Sequence, residues 1–173
     1  MHISTKADHA VRALLVLADA PDERPIPGGV VAAAQDIPAK YTENILVDLR
    51  RAGLVTSYRG SSGGFRLARS AKDITIADVI RATDGPLAEV RGQRPEDVAY
   101  EGVAEHLQDV WVAVRTSIRR VLEQVTLAHV LSGQLPASVK RLASEPDSWS
   151  TRSTRPGVSA PPSSGLPQRL RRP

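Results

Sequence analysis

Apolar residues recur at steps of three and four along much of the chain, a spacing that places side chains on one face of an α-helix. Near the N-terminus, Ser4 or Thr5 can cap such a helix, and Asp8 follows Thr5 like an imperfect capping box. This stripe predicts a core helix and consists of Ile3, Ala7, Ala10, Val11, Leu14, Leu15 and Ala18. Residues 21–29, rich in Pro, Gly and charge, then predict a loop.

The strongest pattern lies in residues 38–68, PAKYTENILVDLRRAGLVTSYRGSSGGFRLA. Residues 38–52 predict a helix whose buried face carries Tyr41, Ile45, Leu46 and Leu49. Residues 54–58 and 65–68 are short strand-like runs, and the glycine-rich turn between them permits positive φ angles, so a hairpin follows the helix. A short helix over 30–35 and a turn at 36–38 come before it, which gives helix-turn-helix spacing.

Two further segments have helical periodicity. Residues 74–83 predict a helix with Thr75 as N-cap and Asp78 completing a capping box, and Gly85-Pro86 ends it. Residues 87–102 are polar and without a period, so they predict a loop. The next helix carries a heptad seam of about 27 Å at 1.5 Å per residue, formed by Leu107, Trp111, Val114, Ile118, Val121 and Val125.

This seam is longer than a small winged domain needs to cover itself, so it predicts pairing with the same helix of a second subunit. The alternative is a helix packed back on its own domain. Residues 126–131 and 136–142 are short amphipathic pieces that could close the dimer core. From Glu145 onward Pro, Ser, Gly and Arg dominate without an apolar period, which predicts a disordered tail.

The fold class is therefore mainly α with a small β-wing. Within 173 residues, we expect a winged helix-turn-helix domain in residues 1–86 and a loop in 87–102. A dimerisation helix with closing helices would occupy 103–144, and the tail 145–173.

The chain has a net charge of +4, and its charged residues are unevenly distributed along the sequence. Residues 73–109 hold nine acidic residues against three arginines. Residues 38–72 hold two acidic residues, Glu43 and Asp48, against seven basic ones: Lys40, Arg50, Arg51, Arg59, Arg66, Arg69 and Lys72. A DNA backbone is the natural partner for the second segment, and the first segment would repel it.

Several classes of protein are disfavoured by composition. The chain has no cysteine, which removes disulfides and thiolate metal sites. His2, His9, His106 and His129 lack the spacing of a metal site, and no nucleophile motif, triad spacing or phosphate loop points to an enzyme. With no apolar run near the ~20 residues of a membrane span and no signal pattern, we expect a cytoplasmic protein.

Three stretches resemble the Rrf2 family of bacterial transcription regulators: STKADHAVRALLVLA, the run IPAKYTENILVDLRRAGLVTSYRGSSGGFRLA, and ITIADVIRATDGP. The resemblance is close over residues 1–86 and looser over the helices that follow. Its most specific element is RRAGLVTSYRGSSGGFRLA, which is more diagnostic than helix-turn-helix periodicity alone.

The resemblance implies base readout at the start of the recognition helix, by Lys40, Tyr41, Glu43 and Asn44, and a minor-groove contact by Arg59 on the wing. Glu43 can accept from a cytosine amino group, and Asn44 suits adenine or a phosphate. For Tyr41, core packing and phosphate contact remain open. Further candidates for DNA contact, from residue type and position, are Arg50, Arg51, Ser61 and Lys6.

Many relatives hold an iron-sulfur cluster through cysteines in the loop before the long helix. Here residues 87–106 contain none, so we expect no cluster and no cofactor. Asp8 stands where some cluster-binding relatives place a carboxylate ligand, but capping or surface exposure accounts for it better. A signal would then act through a small molecule in the dimer core or through a protein partner.

The sequence thus predicts a homodimeric, sequence-specific repressor that binds a pseudo-palindromic operator in double-stranded DNA. The alternative is a protein-interaction module of winged-helix fold with weak DNA binding. Sequence selectivity with a steep salt dependence is expected of the first and not of the second.

Overall fold

The computed structural model describes residues 2–21, 24–60 and 62–150. Its first domain begins with helix α1 (Thr5–Ala18), capped by Ser4, whose side chain accepts from the backbone N–H of Ala7. Of the predicted apolar stripe, Ala7, Ala10 and Leu14 are buried, Val11, Leu15 and Ala18 are half-buried, and Ile3, which precedes the helix, is 57% exposed. Ala13 and Leu17, which were not in the predicted stripe, are buried as well. Helix α1 forms the centre of the domain, since α2, α3, α4 and α6 all pack against it.

The helix-turn-helix consists of α2 (Gly28–Ala34) and α3 (Ala39–Arg51). In the turn between them, Asp36 has a positive φ of 52°, a conformation that Asp tolerates better than most residues. Helix α3 buries Thr42, Ile45, Leu46 and Leu49. Its opposite face is left to solvent, as the sequence predicted.

The wing is an antiparallel pair, β1 (Val55–Tyr58) and β2 (Gly64–Leu67), in which Thr56 is opposite Arg66 and Tyr58 opposite Gly64. An additional bridge joins Phe65 to Ile26 through two backbone hydrogen bonds of 2.8 Å. This bridge attaches the wing to the loop before α2. Ile26 precedes Pro27, and a residue before proline favours the extended backbone that such a bridge needs.

Helix α4 (Ile76–Asp84) begins at the predicted capping box, with Thr75 and Asp78 each accepting from the other's backbone N–H. Residues 87–102 are largely irregular, as expected, with one 3-10 turn at Pro95–Asp97. A second 3-10 turn, at Gly102–Ala104, comes directly before the long helix. Within residues 87–102 the backbone also makes a tight turn at Arg91-Gly92. Both residues have positive φ angles, and Val90 pairs with Gln93 across the turn.

The long helix, α5 (Leu107–Leu122), is shorter than its heptad seam predicted. Val125 lies beyond its end and is 7% exposed; its carbonyl accepts from the N–H of Ile76 at 2.8 Å. Val125 is therefore part of the chain's own core and cannot belong to a dimer seam on α5. The other five seam positions lie on the helix.

Two short helices complete the described chain, α6 (Leu127–Ser132) and α7 (Ala137–Ala143). We expected α6 to accompany the dimerisation helix, but its Leu127 is fully buried in the cluster that contains Leu14 and Ile74. The reason is a backbone pairing between Thr75 and Thr126 that draws α6 onto α1. The core of the first domain thus includes residues beyond 86.

Residues 145–150 form turns after α7, where the indole of Trp149 donates to the carbonyl of Ala143 at 2.5 Å. The rest of the predicted disordered tail, 151–173, lies outside the described residues. Within the described ranges, no helix has the length and apolar character needed to cross a membrane.

Candidate nucleic-acid interface

The first half of α3 presents three polar side chains to solvent: Lys40, Glu43 and Asn44. The Lys40 ammonium lies 3.5 Å from the Glu43 carboxylate, and their side chains are 86% and 58% exposed. An ion pair this exposed contributes little to stability, so both groups can exchange it for contacts with base edges. The Asn44 side chain makes no hydrogen bond with any described residue, which leaves its amide free to donate and accept.

Tyr41 is half-buried, and its ring meets that of His9 on α1 edge to face, with centroids 5.7 Å apart. The ring also packs against the hydrophobic core. The structure therefore shows the packing role that the sequence left open. A phosphate contact by Tyr41 stays a prediction.

Lys6, Asp48 and Arg51 form one network between α1 and α3. Lys6 Nζ lies 2.7 Å from Asp48 Oδ2, and Arg51 Nη1 lies 3.3 Å from Asp48 Oδ1. The hydrogen bond from Lys6 is the main reason that the pKa of Asp48 is lowered, and the charge of Arg51 adds to it. Lys6 thus pairs with Asp48 in the structure, whereas the sequence had predicted only a contact between Lys6 and a DNA phosphate.

Arg50 connects α3 to the wing, because its guanidinium donates to the Ser57 hydroxyl on β1 at 3.2 Å. Arg50 and Arg51 are both exposed and lie in the last turn of α3, where cations also interact favourably with the helix dipole. The contact with Ser57 links the last turn of α3 to the strand that leads to the wing tip.

The wing tip carries Arg59, which is exposed and forms no hydrogen bond or ion pair with the described residues. Beside it, Gly63 and Gly64 lie close to other backbone segments. A Cβ added to Gly63 would be 2.5 Å from the carbonyl oxygen of Tyr58, and a Cβ added to Gly64 would be 2.4 Å from the carbonyl group of Ile26. The glycine run is therefore required by the wing's own packing. Ser61, the other predicted contact here, lies outside the described residues.

One basic side chain of the wing was counted as charge in the sequence but not as part of the site. The Arg66 guanidinium lies 4.9 Å from the centre of the Tyr58 ring, within the range of a cation-π contact. In the register of the two strands Arg66 and Tyr58 are diagonal neighbours. The pair stiffens the wing and keeps a positive charge near Arg59.

A helix-turn-helix with an exposed polar recognition face, followed by a glycine-rich basic wing, defines a winged-helix DNA-binding protein. The profile of the Rrf2 family, described as an iron-dependent transcriptional regulator, matches residues 3–133. This chain therefore belongs to the Rrf2 family and is a DNA-binding regulator of transcription.

Individual relatives agree with this assignment. A Mycobacterium tuberculosis protein named as an HTH-type transcriptional regulator, Rv1287, is 46% identical over 159 residues, covering 92% of this chain and 98% of its own length. The HTH-type transcriptional regulator CymR of Bacillus subtilis is 31% identical over 132 residues, which cover 76% of this chain and 91% of CymR.

Solved structures give the same result. The structure of CymR, the global cysteine regulator of B. subtilis, superposes with a TM-score of 0.66 at 29% identity and covers 77% of this chain and 98% of its own. IscR of T. potens gives a TM-score of 0.62 at 33% identity, with 78% and 88% covered.

The family description names iron, but the donors in this chain do not fit an iron-sulfur cluster. The sequence has no cysteine to supply thiolates, which are the usual ligands of such clusters. In the part of the chain that the structure describes, no three His, Asp or Glu side chains are grouped closely enough to hold a metal ion.

Proposed function

We propose that this protein is a homodimeric repressor that binds a pseudo-palindromic operator. The observation that carries the dimer is the exposed apolar face of α5. Against the rest of the described chain, none of its 16 residues is fully buried. Val110 and Val114 are 50% and 43% exposed, which is unusual for valines on the apolar face of a long helix. A second copy of α5 would cover this face along about 24 Å.

Trp111 on the same helix supports this arrangement. Its side chain is only partly buried against the rest of the described chain. A partner helix packed along Leu107, Trp111, Val114, Ile118 and Val121 would cover it together with the neighbouring apolar side chains.

In such a dimer the two-fold axis relates two α3 helices and two wings, so the target repeats in two halves. Each α3 would read the major groove with Lys40, Glu43 and Asn44, while Arg50 and Arg51 contact phosphates. Arg59 would enter the minor groove, where a narrow A·T-rich segment attracts arginine most strongly. The free guanidinium of Arg59 and the unpaired amide of Asn44 support this assignment.

Repression is the simplest outcome of this binding. A dimer that occupies an operator excludes other proteins from the same DNA, whereas activation also needs a surface that contacts the transcription machinery. Because the chromosome is the target, we place the protein in the cytoplasm. Transcription in vitro from a promoter that contains the operator should fall as the protein is added, and a rise would show activation.

The test of operator recognition is selection of bound duplexes from a random pool by the purified protein, at two salt concentrations, with Arg59→Ala in parallel. A two-fold motif should be recovered by the wild type and lost or weakened in Arg59→Ala. Recovery of no motif at either salt concentration would contradict sequence-specific binding and favour a protein-interaction module.

A further inference from the structure

A cleft of about 490 Å³ lies between α4 and α5 and is bounded on its third side by residues 85–96. This volume is in the range of sites that hold small molecules. Four arginines line it from three separate segments: Arg81 on α4, Arg94 in the loop, and Arg115 and Arg119 one turn apart on α5. This cluster could not be predicted from the sequence, because its members are up to 38 positions apart.

Two carboxylates neutralise part of this charge. Glu96 pairs with Arg115, and Glu123 accepts from both Arg81 and Arg119, with Arg119 Nε at 3.0 Å. The guanidinium contacts hold the pKa of both carboxyls below the ordinary range, so they stay ionised. Four cations and two anions leave two positive charges without a counter-charge in the cleft.

One arginine side chain in the cleft remains available. The Arg94 side chain forms no hydrogen bond or ion pair with the described residues and attracts Glu96 only at longer range. The Arg115 side chain is only 19% exposed, so solvent and salt screen its charge less than they screen a fully exposed one. An anion in the cleft would therefore meet one unpaired guanidinium beside a partly buried positive charge.

We propose that this cleft binds a small dianion, a dicarboxylate or a phosphate, as the effector of the regulator. Guanidinium groups present forked donors that match the oxygen pairs of carboxylates and phosphates. A charge of minus two would balance the two uncompensated arginines. The ligand would bridge α5, the proposed dimer helix, to α4, which packs against both α1 and the recognition helix α3. Its binding could therefore alter the spacing of the two recognition helices.

Isothermal titration calorimetry on the full chain tests the site without requiring DNA. The probes are succinate and inorganic phosphate, with succinamide as the neutral counterpart of succinate, in a low-salt buffer free of other polyanions. We expect at least one dianion to bind at one site per chain with a Kd below about 1 mM, and succinamide not to bind. Binding of succinate would indicate a dicarboxylate effector, and binding of inorganic phosphate would indicate a phosphate effector.

Arg94→Gln is the informative variant, because Arg94 has no ion pair whose loss could disturb the fold. It should weaken dianion binding by about tenfold or more. Arg120→Gln removes the same charge from an exposed position on α5 that does not line the cleft, and it should change the Kd by less than about twofold. Equal weakening by the two variants, or no binding of either dianion at 10 mM or so, would overturn the proposal.

Discussion

Lys6 at the start of α1 and Asp48 on α3 are joined by an ion pair, with Nζ and Oδ2 2.7 Å apart. Their side chains are 33% and 29% exposed, so the pair is partly shielded from solvent. It connects the first helix of the chain to the C-terminal half of the recognition helix. The orientation of α3 on the domain therefore depends on a polar contact as well as on its buried face.

This pair makes a prediction about pH. The pKa of Asp48 is lowered in the folded state, so the pair stabilises the fold above the pKa of the unfolded carboxyl. That contribution is lost as the pH falls through the lower folded value. A double-mutant cycle of Lys6→Gln and Asp48→Asn, followed by denaturant unfolding, should give a coupling of about 0.5 kcal/mol near neutral pH. The coupling should shrink as the pH is lowered and Asp48 becomes protonated; a coupling that does not change with pH would count against the ion pair.

Lys6 and Arg59 should differ in how they affect DNA binding. Arg59 is free, so Arg59→Gln should weaken operator binding by about 1–3 kcal/mol. It should also reduce the slope of log affinity against log salt by about 1. Lys6 is engaged by Asp48, so Lys6→Gln should change that slope less. Fluorescence anisotropy over a salt series measures both, and Arg120→Gln is the control for net charge. A larger slope change for Lys6→Gln would mean that Lys6 leaves Asp48 to contact a phosphate.

Glu43 should affect base choice more than general affinity. A carboxylate in the major groove accepts from the amino group of cytosine but repels phosphates. Glu43→Gln should therefore relax the preference at one position of each half-site, at a cost of about 1–3 kcal/mol on the operator. Binding to random duplex should stay equal or increase. Repeating the duplex selection with the variant measures this, and an unchanged motif would place Glu43 outside the base contacts.

Gly64 should be intolerant of substitution. A Cβ there would lie 2.4 Å from the backbone of Ile26, and φ is +154°, so Gly64→Ala must break the bridge between Phe65 and Ile26. We expect a loss of about 2 kcal/mol in the free energy of unfolding. Gly29→Ala is the matched control: nothing lies within 4 Å of its Cβ position, and alanine should stabilise helix α2 by up to about 1 kcal/mol. Equal stability of the two variants would contradict this packing of the wing.

Local patterns in the sequence predicted much of the DNA-binding domain. The apolar spacing of α1, α3 and α4 and the glycine-rich turn of the wing are set by residues close together in the sequence. The capping box of Thr75 and Asp78 forms the predicted contacts. The main features that the sequence did not predict depend on contacts between distant segments. The bridge between Ile26 and Phe65 is one example. The pairing of Thr75 with Thr126 is another example. It draws the chain next to Thr126 into the core, so the heptad pattern continues to Val125 in the sequence but helix α5 does not.

The interface shows the same division. Residue types and charge predicted the exposed polar face of α3 and the basic wing, because the exposed positions of an amphipathic helix follow from its period. The engagement of Lys6 by Asp48 and the stacking of Arg66 on Tyr58 could not be read in this way. Both depend on how separate elements pack. The arginines of the cleft between α4 and α5 converge only in the folded chain.

The central claim is that two copies of the chain, joined through α5, bind one operator. Its most direct test is native mass spectrometry of the protein with a duplex recovered by selection, for wild type and Val114→Asp, with Thr116→Asp as a control at an exposed position outside the seam. Wild type and Thr116→Asp should give two chains per duplex. Val114→Asp should be monomeric and should lose operator binding. Full operator selectivity with one chain per duplex would contradict the claim.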